Sequence, residues 1–415
     1  MIFKKLFLLL LMGILPGFLF SQQAWTVYNT INSPLPENSV RAIAQAPNGL
    51  LWVGTDYGLA SFDGTNWNVF KTTNSGIPDN SIRSLVIDAL NNVWIGTFTS
   101  GLVKYDGSNW TIYNTSNSNI PDDFVRSMAL DTLGNLWVGT IGGLGYFDGT
   151  NWDIYNNTNS ILISNNISAL KVDATDNSLS IGTINGGLVF KNGTTWSQFT
   201  LGNSNLPDNT ILGLDKDTTD VVWLACPAAG LSCYIGGSTF VTFNTVSSDI
   251  ASNSLTCLKI GVDQSIWAGS NDSGLIKREG ILFYNYNTLN SGLPDNFVQT
   301  IFIDNQEIMW IGTQIGGLVR LDPTLLTTVN ELAPVAFNLY PVPAGETLYL
   351  NSEISKPFLI EIYDMSGRQI SLRTSFTGET KIAIRTSELP TGTYLLKVVF
   401  ENGTSGSKLF VVGRD

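Results

Sequence analysis

The chain has 415 residues, of which 43% are apolar and only 13% are charged, and it contains 40 glycines. This composition favours many short strands joined by turns over long helices. The formal net charge of −12 argues against a nucleic-acid partner. The absence of histidine excludes Ser-His-Asp and Cys-His nucleophile sites, the usual zinc sites and His-based acid–base chemistry.

The N-terminus has the pattern of a secretory signal peptide. Two lysines precede an almost wholly apolar run, Leu6–Leu15, which is short for a bilayer span and is followed by no charged stop-transfer segment. We expect residues 1–21 to be a signal peptide cleaved after Ser21, and we expect no transmembrane segment in the mature chain. An uncleaved anchor is the alternative.

One short phrase recurs seven times at nearly constant spacing. Its copies are LWVGT at Trp52, VWIGT at Trp94, LWVGT at Trp137, LSIGT at Ser180, VWLAC at Trp223, IWAGS at Trp267 and MWIGT at Trp310. Each unit of about 43 residues also contains an apolar strand before this phrase, a strand opened by Gly-Leu after it, and a fourth strand with an aromatic residue. Four antiparallel strands per repeat are typical of a propeller blade.

The ends of the repeat array predict a closed ring rather than an open solenoid. The seventh unit stops at Leu321–Pro323 without a fourth strand, whereas Trp25–Thr30 (WTVYNT) copies the fourth strand Trp110–Thr115 (WTIYNT). We therefore predict an all-β, seven-bladed β-propeller of four-stranded blades over residues 22–323, in which the N-terminal strand completes the last blade. The recurrent tryptophan should fill the space between blades, so Ser180 marks a weaker blade or one whose neighbour fills that space.

The repeats resemble the two-component regulator propeller family. Asn80–Leu102 (NSIRSLVIDALNNVWIGTFTSGL) and Phe124–Leu144 (FVRSMALDTLGNLWVGTIGGL) follow its pattern closely, and the resemblance covers residues 24–323. The fifth unit, Gly213–Phe243, departs most. In the best-known members the propeller is the periplasmic sensor half of a membrane-bound hybrid kinase that detects glycans. Only the propeller is shared here, so the resemblance does not imply the signalling role.

A different pattern follows a linker at residues 324–337. Alternating apolar strands over residues 338–415 predict a small Ig-like β-sandwich. This segment resembles the type A C-terminal sorting domain of the type IX (Por) secretion system of Bacteroidetes. The residues that carry the resemblance include Tyr340, Pro341, Gly367, Gly392, Tyr394 and Lys408. The resemblance implies interaction with the type IX machinery, export across the outer membrane, and then release or surface attachment; a fibronectin-like spacer is the alternative.

Candidate ligand-binding residues are expected on one face of the ring. The loops joining strands two and three, and the loops joining successive units, should lie together there, around the mouth of the central channel. The candidates on these loops are Asp56, Tyr57, Phe98, Asn185, Asn271, Asp272 and Gln314. They vary between repeats while the framework does not, which is typical of a binding surface and also of unconstrained loops.

A second set of candidates is basic. Arg41, Arg83 and Arg126 hold one equivalent position in the first three units, where the later units have Ser168, Leu212, Thr256 and Gln299. Because the innermost strands bring this position toward the channel, the arginines could grip a carboxylate or a sulfate. The alternative is that each pairs with a local acid, such as Glu37, Asp79 or Asp122.

Other polar residues have structural interpretations. The acids of the Pro-Asp turns occupy the same place in different units, which indicates turn chemistry rather than catalysis; they are Asp79, Asp122, Asp208 and Asp295. The three cysteines, Cys226, Cys233 and Cys257, match no metal motif and are expected to be buried apolar residues, with one disulfide as the alternative. We expect no metal and no cofactor.

These features favour a secreted or surface-attached propeller that binds a glycan or protein ligand on its loop face. Exposed aromatic and amide side chains there would stack on a sugar and hydrogen-bond to it. The first alternative is a propeller glycosidase or polysaccharide lyase that uses acids or Tyr57. The second is a structural or adhesive surface protein.

Overall fold

The structure is a computed structural model, and it describes residues 24–326, 337–352, 357–364, 369–375, 381–400 and 405–413. The chain divides into two compact units, Met1–Leu326 and Thr327–Asp415. The expected signal peptide, most of the linker and Gly367 lie outside the described residues. The all-β prediction is confirmed, since the described residues form strands and one 3-10 turn, Pro323–Leu325. Among these residues, no helix is long and apolar enough to cross a membrane.

The first unit consists of antiparallel four-stranded sheets. The N-terminal strand is β1 (Trp25–Tyr28). The first three sheets are β2 (Val40–Gln45), β3 (Leu51–Thr55), β4 (Gly58–Phe62), β5 (Trp67–Phe70); β6 (Ile82–Ile87), β7 (Val93–Thr97), β8 (Leu102–Tyr105), β9 (Trp110–Tyr113); and β10 (Val125–Leu130), β11 (Leu136–Thr140), β12 (Leu144–Phe147), β13 (Trp152–Tyr155).

The next three sheets repeat this order. They are β14 (Ile167–Val172), β15 (Leu179–Thr183), β16 (Leu188–Asn192), β17 (Thr195–Phe199); β18 (Gly213–Lys216), β19 (Val222–Cys226), β20 (Gly230–Gly236), β21 (Thr239–Phe243); and β22 (Leu255–Ile260), β23 (Ile266–Ser270), β24 (Leu275–Glu279), β25 (Leu282–Tyr286). The seventh sheet combines β26 (Val298–Ile303), β27 (Met309–Thr313) and β28 (Leu318–Leu321) with β1.

The two ends of the array meet in the seventh sheet. Strand β1 runs antiparallel to β28, with Trp25 opposite Leu321 and Tyr28 opposite Leu318. The first strands of successive sheets contact one another, and β26 of the seventh sheet contacts β2 of the first. The contacts therefore run around a ring with the first strand of every sheet at its centre. The spare N-terminal copy in the sequence supplies the outer strand of the last sheet.

The tryptophan of the recurrent phrase is buried between neighbouring sheets. Trp52 packs in one cluster with Leu85 and Ile95 of the second sheet. In the fifth sheet the Trp223 indole N–H donates to a carboxylate oxygen of Asp217, 2.9 Å away, in the turn before its strand. The indole thus buries a large apolar surface while its polar atom stays hydrogen-bonded, which is how a buried tryptophan stabilises a core.

The fourth sheet has Ser180 in this place, and the fifth sheet contributes to filling the space. Phe190 lies opposite Ser180 in the sheet. Its ring packs against Tyr234 of the fifth sheet, with 5.0 Å between ring centroids. Of the two outcomes expected for Ser180, the structure therefore shows the one in which a neighbour takes the place of the indole.

A buried ion-pair cluster reinforces the same part of the ring. Asp215 of β18 is only 3% exposed. Its Oδ1 lies 2.5 Å from the Lys171 ammonium of the fourth sheet, and its Oδ2 lies 3.3 Å from the Lys259 ammonium of the sixth. Burial raises the pKa of Asp215, but the two lysines outweigh burial and hold the pKa below its usual value. One carboxylate therefore joins three sheets.

We expect Asp215→Asn to lower the free energy of unfolding at pH 7 by about 2–3 kcal/mol, because two partly buried lysines lose their counter-charge. The folded-state pKa of Asp215 lies below its unfolded value of about 4. The contribution is therefore complete above that value and is lost as the pH falls through the folded-state pKa. Denaturant unfolding at neutral and acidic pH measures this difference.

The matched control is Asp153→Asn, which removes an exposed carboxylate from β13. It should leave the free energy of unfolding nearly unchanged. A loss in Asp215→Asn that is equally large at pH 2 and pH 7 would contradict the electrostatic explanation.

The second unit contains two sheets. One has the order β29 (Phe337–Tyr340), β30 (Thr347–Ser352), β33 (Lys381–Arg385), and the other has the order β32 (Gln369–Ser375), β31 (Pro357–Asp364), β34 (Gly392–Phe400), β35 (Ser405–Val412). Residues of both sheets share one hydrophobic core, including Leu348, Leu350, Ile382, Leu396 and Phe410.

The described residues of the sorting motif divide into buried and exposed. Tyr394 is buried, and its hydroxyl donates to the Pro390 carbonyl at 2.7 Å. Tyr340, Pro341 and Lys408 are exposed. Part of the motif therefore belongs to the core of the unit, and part is accessible to a partner.

Candidate functional site

A cavity of about 270 Å³ lies where the first strands of the seven sheets converge. Its lining residues are Arg41, Arg83, Arg126, Ser168, Leu212, Thr256 and Gln299, together with Phe124 and Phe297. Each of the first seven follows a buried Val, Ile or Leu at or near the start of its strand. Because side chains alternate along a strand, the apolar residue enters the sheet packing and the next one turns away from it. The equivalent positions recognised in the sequence thus surround one cavity.

Asp56 is the acid that the first arginine engages. Arg41 donates from Nε and from Nη2 to Asp56 Oδ2, at 3.1 and 3.0 Å. The Ser39 hydroxyl donates to the same oxygen at 2.7 Å. Burial raises the pKa of Asp56, but these hydrogen bonds and the charges of Arg41 and Arg83 outweigh it and lower the pKa. Asp56 is therefore ionised and bound to Arg41, Arg83 and Ser39.

Arg41 and Arg83 do pair with a local acid, as the alternative interpretation expected, but that acid is Asp56. The acids named as examples make other contacts. Glu37 Oε1 accepts from the backbone N–H of the next residue at 2.7 Å. Asp79 Oδ1 accepts from the backbone N–H of Ser81 at 2.9 Å. Asp122, Asp208 and Asp295 each accept the backbone N–H two residues ahead. The interpretation of these acids as turn residues is confirmed.

Arg83 is only partly satisfied. Its Nη1 lies 3.2 Å from Asp56 Oδ1, and its guanidinium carbon lies 4.7 Å from the centroid of the Phe98 ring. Its buried Nε has no hydrogen-bond partner. Asp56 already accepts three hydrogen bonds at Oδ2, so it cannot satisfy the second arginine fully.

The positive charge of Arg126 is compensated even less than that of Arg83. Its Nη1 donates to Asn166 Oδ1 at 3.2 Å, and the guanidinium lies 5.5 Å from the centroid of the Phe124 ring. Within the described ranges, no carboxylate lies within 4.0 Å of it. Burial lowers the pKa of Arg126, and the nearby charge of Arg83 lowers it further. One carboxylate, Asp56, thus serves two of the three guanidinium groups at this cavity.

Two aromatic rings stand beside the arginines. Phe98, 42% exposed, meets Phe124 edge to face, with 4.7 Å between ring centroids. We call Phe98 and Phe124 the aromatic ledge. Each ring of the ledge carries one guanidinium, Arg83 on Phe98 and Arg126 on Phe124. The ledge holds the two under-compensated arginines next to each other and leaves one ring edge open to solvent.

The remaining loop candidates are exposed but do not line the cavity. They are Tyr57, Asn185, Asn271, Asp272 and Gln314. Their loops are fixed through the backbone, as where the Gln314 N–H donates to the Phe297 carbonyl at 3.0 Å. The structure therefore gathers the three arginines, with Asp56 and Phe98 in contact with them, and leaves the other five candidates outside this cluster.

Six of the nine lining residues were not among the sequence candidates: Phe124, Ser168, Leu212, Thr256, Phe297 and Gln299. A signal for the two phenylalanines exists, because Phe precedes the first strand only in the third and seventh units, where the others have Ser, Asn or Thr. Gln299 was recognised only as an equivalent of the arginines. Its side-chain N–H donates to Ser39 Oγ and to the Thr313 carbonyl, and its buried Oε1 has no partner.

The cysteines are all free thiols. Burial raises the pKa of Cys226 far above its usual value, that of Cys233 to about 11 and that of Cys257 to about 12. A thiol with a raised pKa is a poor nucleophile at neutral pH, so these residues are core residues. Across the described parts of the chain, no group of three or more Cys, Asp or Glu side chains could hold a metal ion.

We expect none of the three thiols to react with a thiol-specific reagent at pH 8 while the protein is folded, because all three are protonated and poorly accessible. The same reagent should label all three after denaturation without a reductant. Mass spectrometry of intact protein counts the labels. Fewer than three labels in the denatured sample would reveal a disulfide.

Comparison with protein families identifies both parts of the chain. The family model of the two component regulator propeller matches residues 34–57, 76–99, 119–142 and 292–314. The secretion system C-terminal sorting domain matches residues 338–412. Both resemblances inferred from the sequence are confirmed. A sorting domain of this type implies secretion by the type IX system and attachment to the cell surface.

Solved structures with a similar fold come from different functional settings. They include the extracellular domain of a hybrid two component system from B. thetaiotaomicron (TM-score 0.66, 16% identity, 94% of this chain and 57% of that chain) and PorZ, a surface component of the type-IX secretion system of Porphyromonas gingivalis (0.58, 15%, 94% and 61%). Virginiamycin B lyase from Staphylococcus aureus is also similar (0.58, 13%, 72% and 98%).

These identities show a shared fold alone. The chain spans less than two thirds of the length of the first two structures. No curated protein matches the sequence.

Proposed function

We propose that this secreted surface protein, built from two component regulator propeller repeats and a type IX sorting domain, binds a glycan or protein ligand at the loop face of a seven-bladed propeller. The observation that carries the proposal is the arginine-lined cavity. Three guanidinium groups with one carboxylate, next to an exposed aromatic edge, form a concave and polar site that has no evident structural purpose. Concave sites with a few convergent polar groups are typical of ligand pockets.

Several features support seven blades. Seven four-stranded sheets follow one another in the sequence, and their first strands contact one another in a ring. A blade cannot bury both of its faces alone, so each depends on its neighbours. For the second unit we propose an Ig-like sandwich, which the two sheets around a common core support.

We propose the following division of the chain. Residues 1–21 form a signal peptide, residues 22–323 the propeller, residues 324–337 a linker, and residues 338–415 the sorting domain. The division is supported by the boundary between compact units at residue 326 and by the family match that begins at residue 338.

Binding is favoured over catalysis at this site. Virginiamycin B lyase is catalytically inactive when one histidine is replaced by alanine, and the present chain contains no histidine. The one carboxylate in contact with the cavity arginines, Asp56, is committed to Arg41. A glycosidase needs two carboxyl groups on either side of the scissile bond, and the turn acids are occupied by backbone amides.

One further observation favours a protein ligand. In the loops after the fifth, sixth and seventh sheets, equivalent positions hold Val246, Leu289 and Ile31, whose exposed fractions are 92%, 95% and 92%. The other four loops have Thr73, Ser116, Thr158 and Gly202 in this place. One side of the loop face therefore carries an aliphatic rim, and exposed apolar clusters mark protein-interaction surfaces.

We expect the purified protein to retain at least one polysaccharide from a panel of soluble glycans without releasing products. Phe98→Ala should weaken retention by about tenfold, because aromatic stacking contributes about 1–3 kcal/mol to ligand contacts. Tyr57→Ala removes an exposed ring outside the cavity lining and should weaken retention less. Affinity electrophoresis measures retention, and a reducing-end assay detects cleavage.

Leu133→Ala is the control for these variants, since Leu133 is a large apolar side chain that is even more exposed but lies in a turn at the opposite end of the strands. It should bind as the wild type does. Release of reducing or unsaturated ends would instead make the enzyme the better explanation. A loss of retention in all three variants would point to an unfolding effect.

We also expect the C-terminal unit to be necessary for export. Deletion of residues 338–415 should leave the protein inside the outer membrane of a bacterium that has a type IX system, because the sorting signal is missing. Cell fractionation and surface labelling measure this. The reciprocal fusion of residues 338–415 to a carrier protein should reach the surface, and its retention inside the cell would contradict the role.

A further inference from the structure

We infer that the cavity holds an anionic group of a glycan, a carboxylate or a sulfate, between Arg83 and Arg126. This inference rests on the proposed function and specifies its ligand class. The arginines are not a feature of every repeat, because the equivalent positions of the other units hold Ser168, Leu212, Thr256 and Gln299.

The charge distribution gives the first reason. Residues 22–337 contain 12 Lys and Arg against 26 Asp and Glu, a net charge of −14, and only five of these residues are arginines. Three of the five line this one cavity. The clustered arginines make the electrostatic potential positive in this cavity, although the rest of the propeller is strongly acidic. The cavity therefore attracts an anion that the remaining surface repels.

The unused hydrogen-bond donors give the second reason. A guanidinium has five N–H groups in a planar fork that matches the oxygens of carboxylate and sulfate. Arg126 uses one of these groups, at Nη1, and Arg83 approaches Asp56 from Nη1 only. Repulsion between the two arginines is uncompensated, and a bound anion would relieve it while accepting from both forks.

The contact between Arg41 and Asp56 shows how an arginine of this site binds a carboxylate. It sits against Arg41 with Nε and Nη2 both donating to it, which is the contact that the other two arginines lack. The protein therefore supplies an internal anion to Arg41, and Arg83 reaches the same carboxylate through one contact only. Arg126 has no carboxylate partner among the described residues.

The other lining residues favour a sugar acid over an acidic peptide. Phe124 and Phe297 line the cavity, and aromatic rings suit the C–H face of a pyranose. Gln299 adds a carbonyl oxygen without a donor, and sugar hydroxyls are donors. A cavity of about 270 Å³ accommodates the end or one unit of a chain rather than a flat protein surface.

The test compares three polymers with one backbone: dextran, carboxymethyl-dextran and dextran sulfate. Titration calorimetry with the purified protein should give binding of a charged polymer about tenfold or more tighter than that of dextran. The carboxymethyl and sulfate arms distinguish the two anions. Arg126→Gln should weaken that binding by about tenfold, because it removes one charged fork.

Two further variants separate the site from general charge effects. Lys71→Gln, which removes a positive charge from a loop of the same face but outside the cavity lining, should change binding by less than about twofold. Asp56→Asn frees Arg41 from its internal anion and should tighten binding several-fold. Thermal unfolding of each variant checks that it is folded.

The outcomes separate this inference from the proposed function. Equal binding of dextran and the charged polymers, or unchanged binding in Arg126→Gln, overturns the anion assignment. If Phe98→Ala still weakens the binding of a neutral glycan, the proposed function stands without the anion assignment. If no polysaccharide is retained at all, both the anion assignment and the glycan form of the proposed function fail, and only a protein ligand is left. Tight binding of a short acidic peptide in place of carboxymethyl-dextran would overturn the choice of a glycan.

Discussion

The structure depends on one constraint: a four-stranded sheet of about 40 residues has two faces and cannot bury either alone. Six of the seven sheets therefore bury the recurrent tryptophan against the next sheet, as Trp52 does against Leu85, and the fourth sheet packs Phe190 against Tyr234 instead. An open array would leave one such face uncovered at each end. Pairing of β1 with β28, and contact between β26 and β2, remove both ends. The cavity follows from the same constraint, because a ring of first strands leaves space at its centre.

The repeat accounts for how much could be predicted. Because one pattern occurs seven times, comparing its copies shows the period, the spare N-terminal strand and the turn acids. The strand order could therefore be predicted from the sequence. The equivalence of Arg41, Arg83 and Arg126 followed in the same way. Their partner could not be predicted, because Asp56 lies in a loop of variable sequence and reaches the first strands only through the fold. The aromatic ledge is likewise a contact between two units, and no pattern within one unit predicts it.

The ring is regular in backbone but not in chemistry. The units that match the family model are the first three and the seventh, which are neighbours around the ring. This side carries the arginines, the aromatic ledge and Gln299. The divergent side replaces one tryptophan by Ser180 and compensates with Phe190 and the Asp215 cluster. On that side the contacts that replace the indole lie outside the family pattern, whereas the candidate site lies among the units that match the family model.

The same asymmetry bears on what the cavity is for. A structural arginine at a sheet interface is usually paired, since an uncompensated buried charge is costly. Lys171 and Lys259 obey this rule at Asp215, and Arg41 obeys it at Asp56. Arg83 and Arg126 stand apart, because they face the cavity and each other with incomplete partners. Arg278 is likewise without a carboxylate among the described residues, but its guanidinium lies over the Trp223 and Phe243 rings. Arg83 and Arg126 differ from it because they line one concave space, where a bound ligand would bring the missing negative charge.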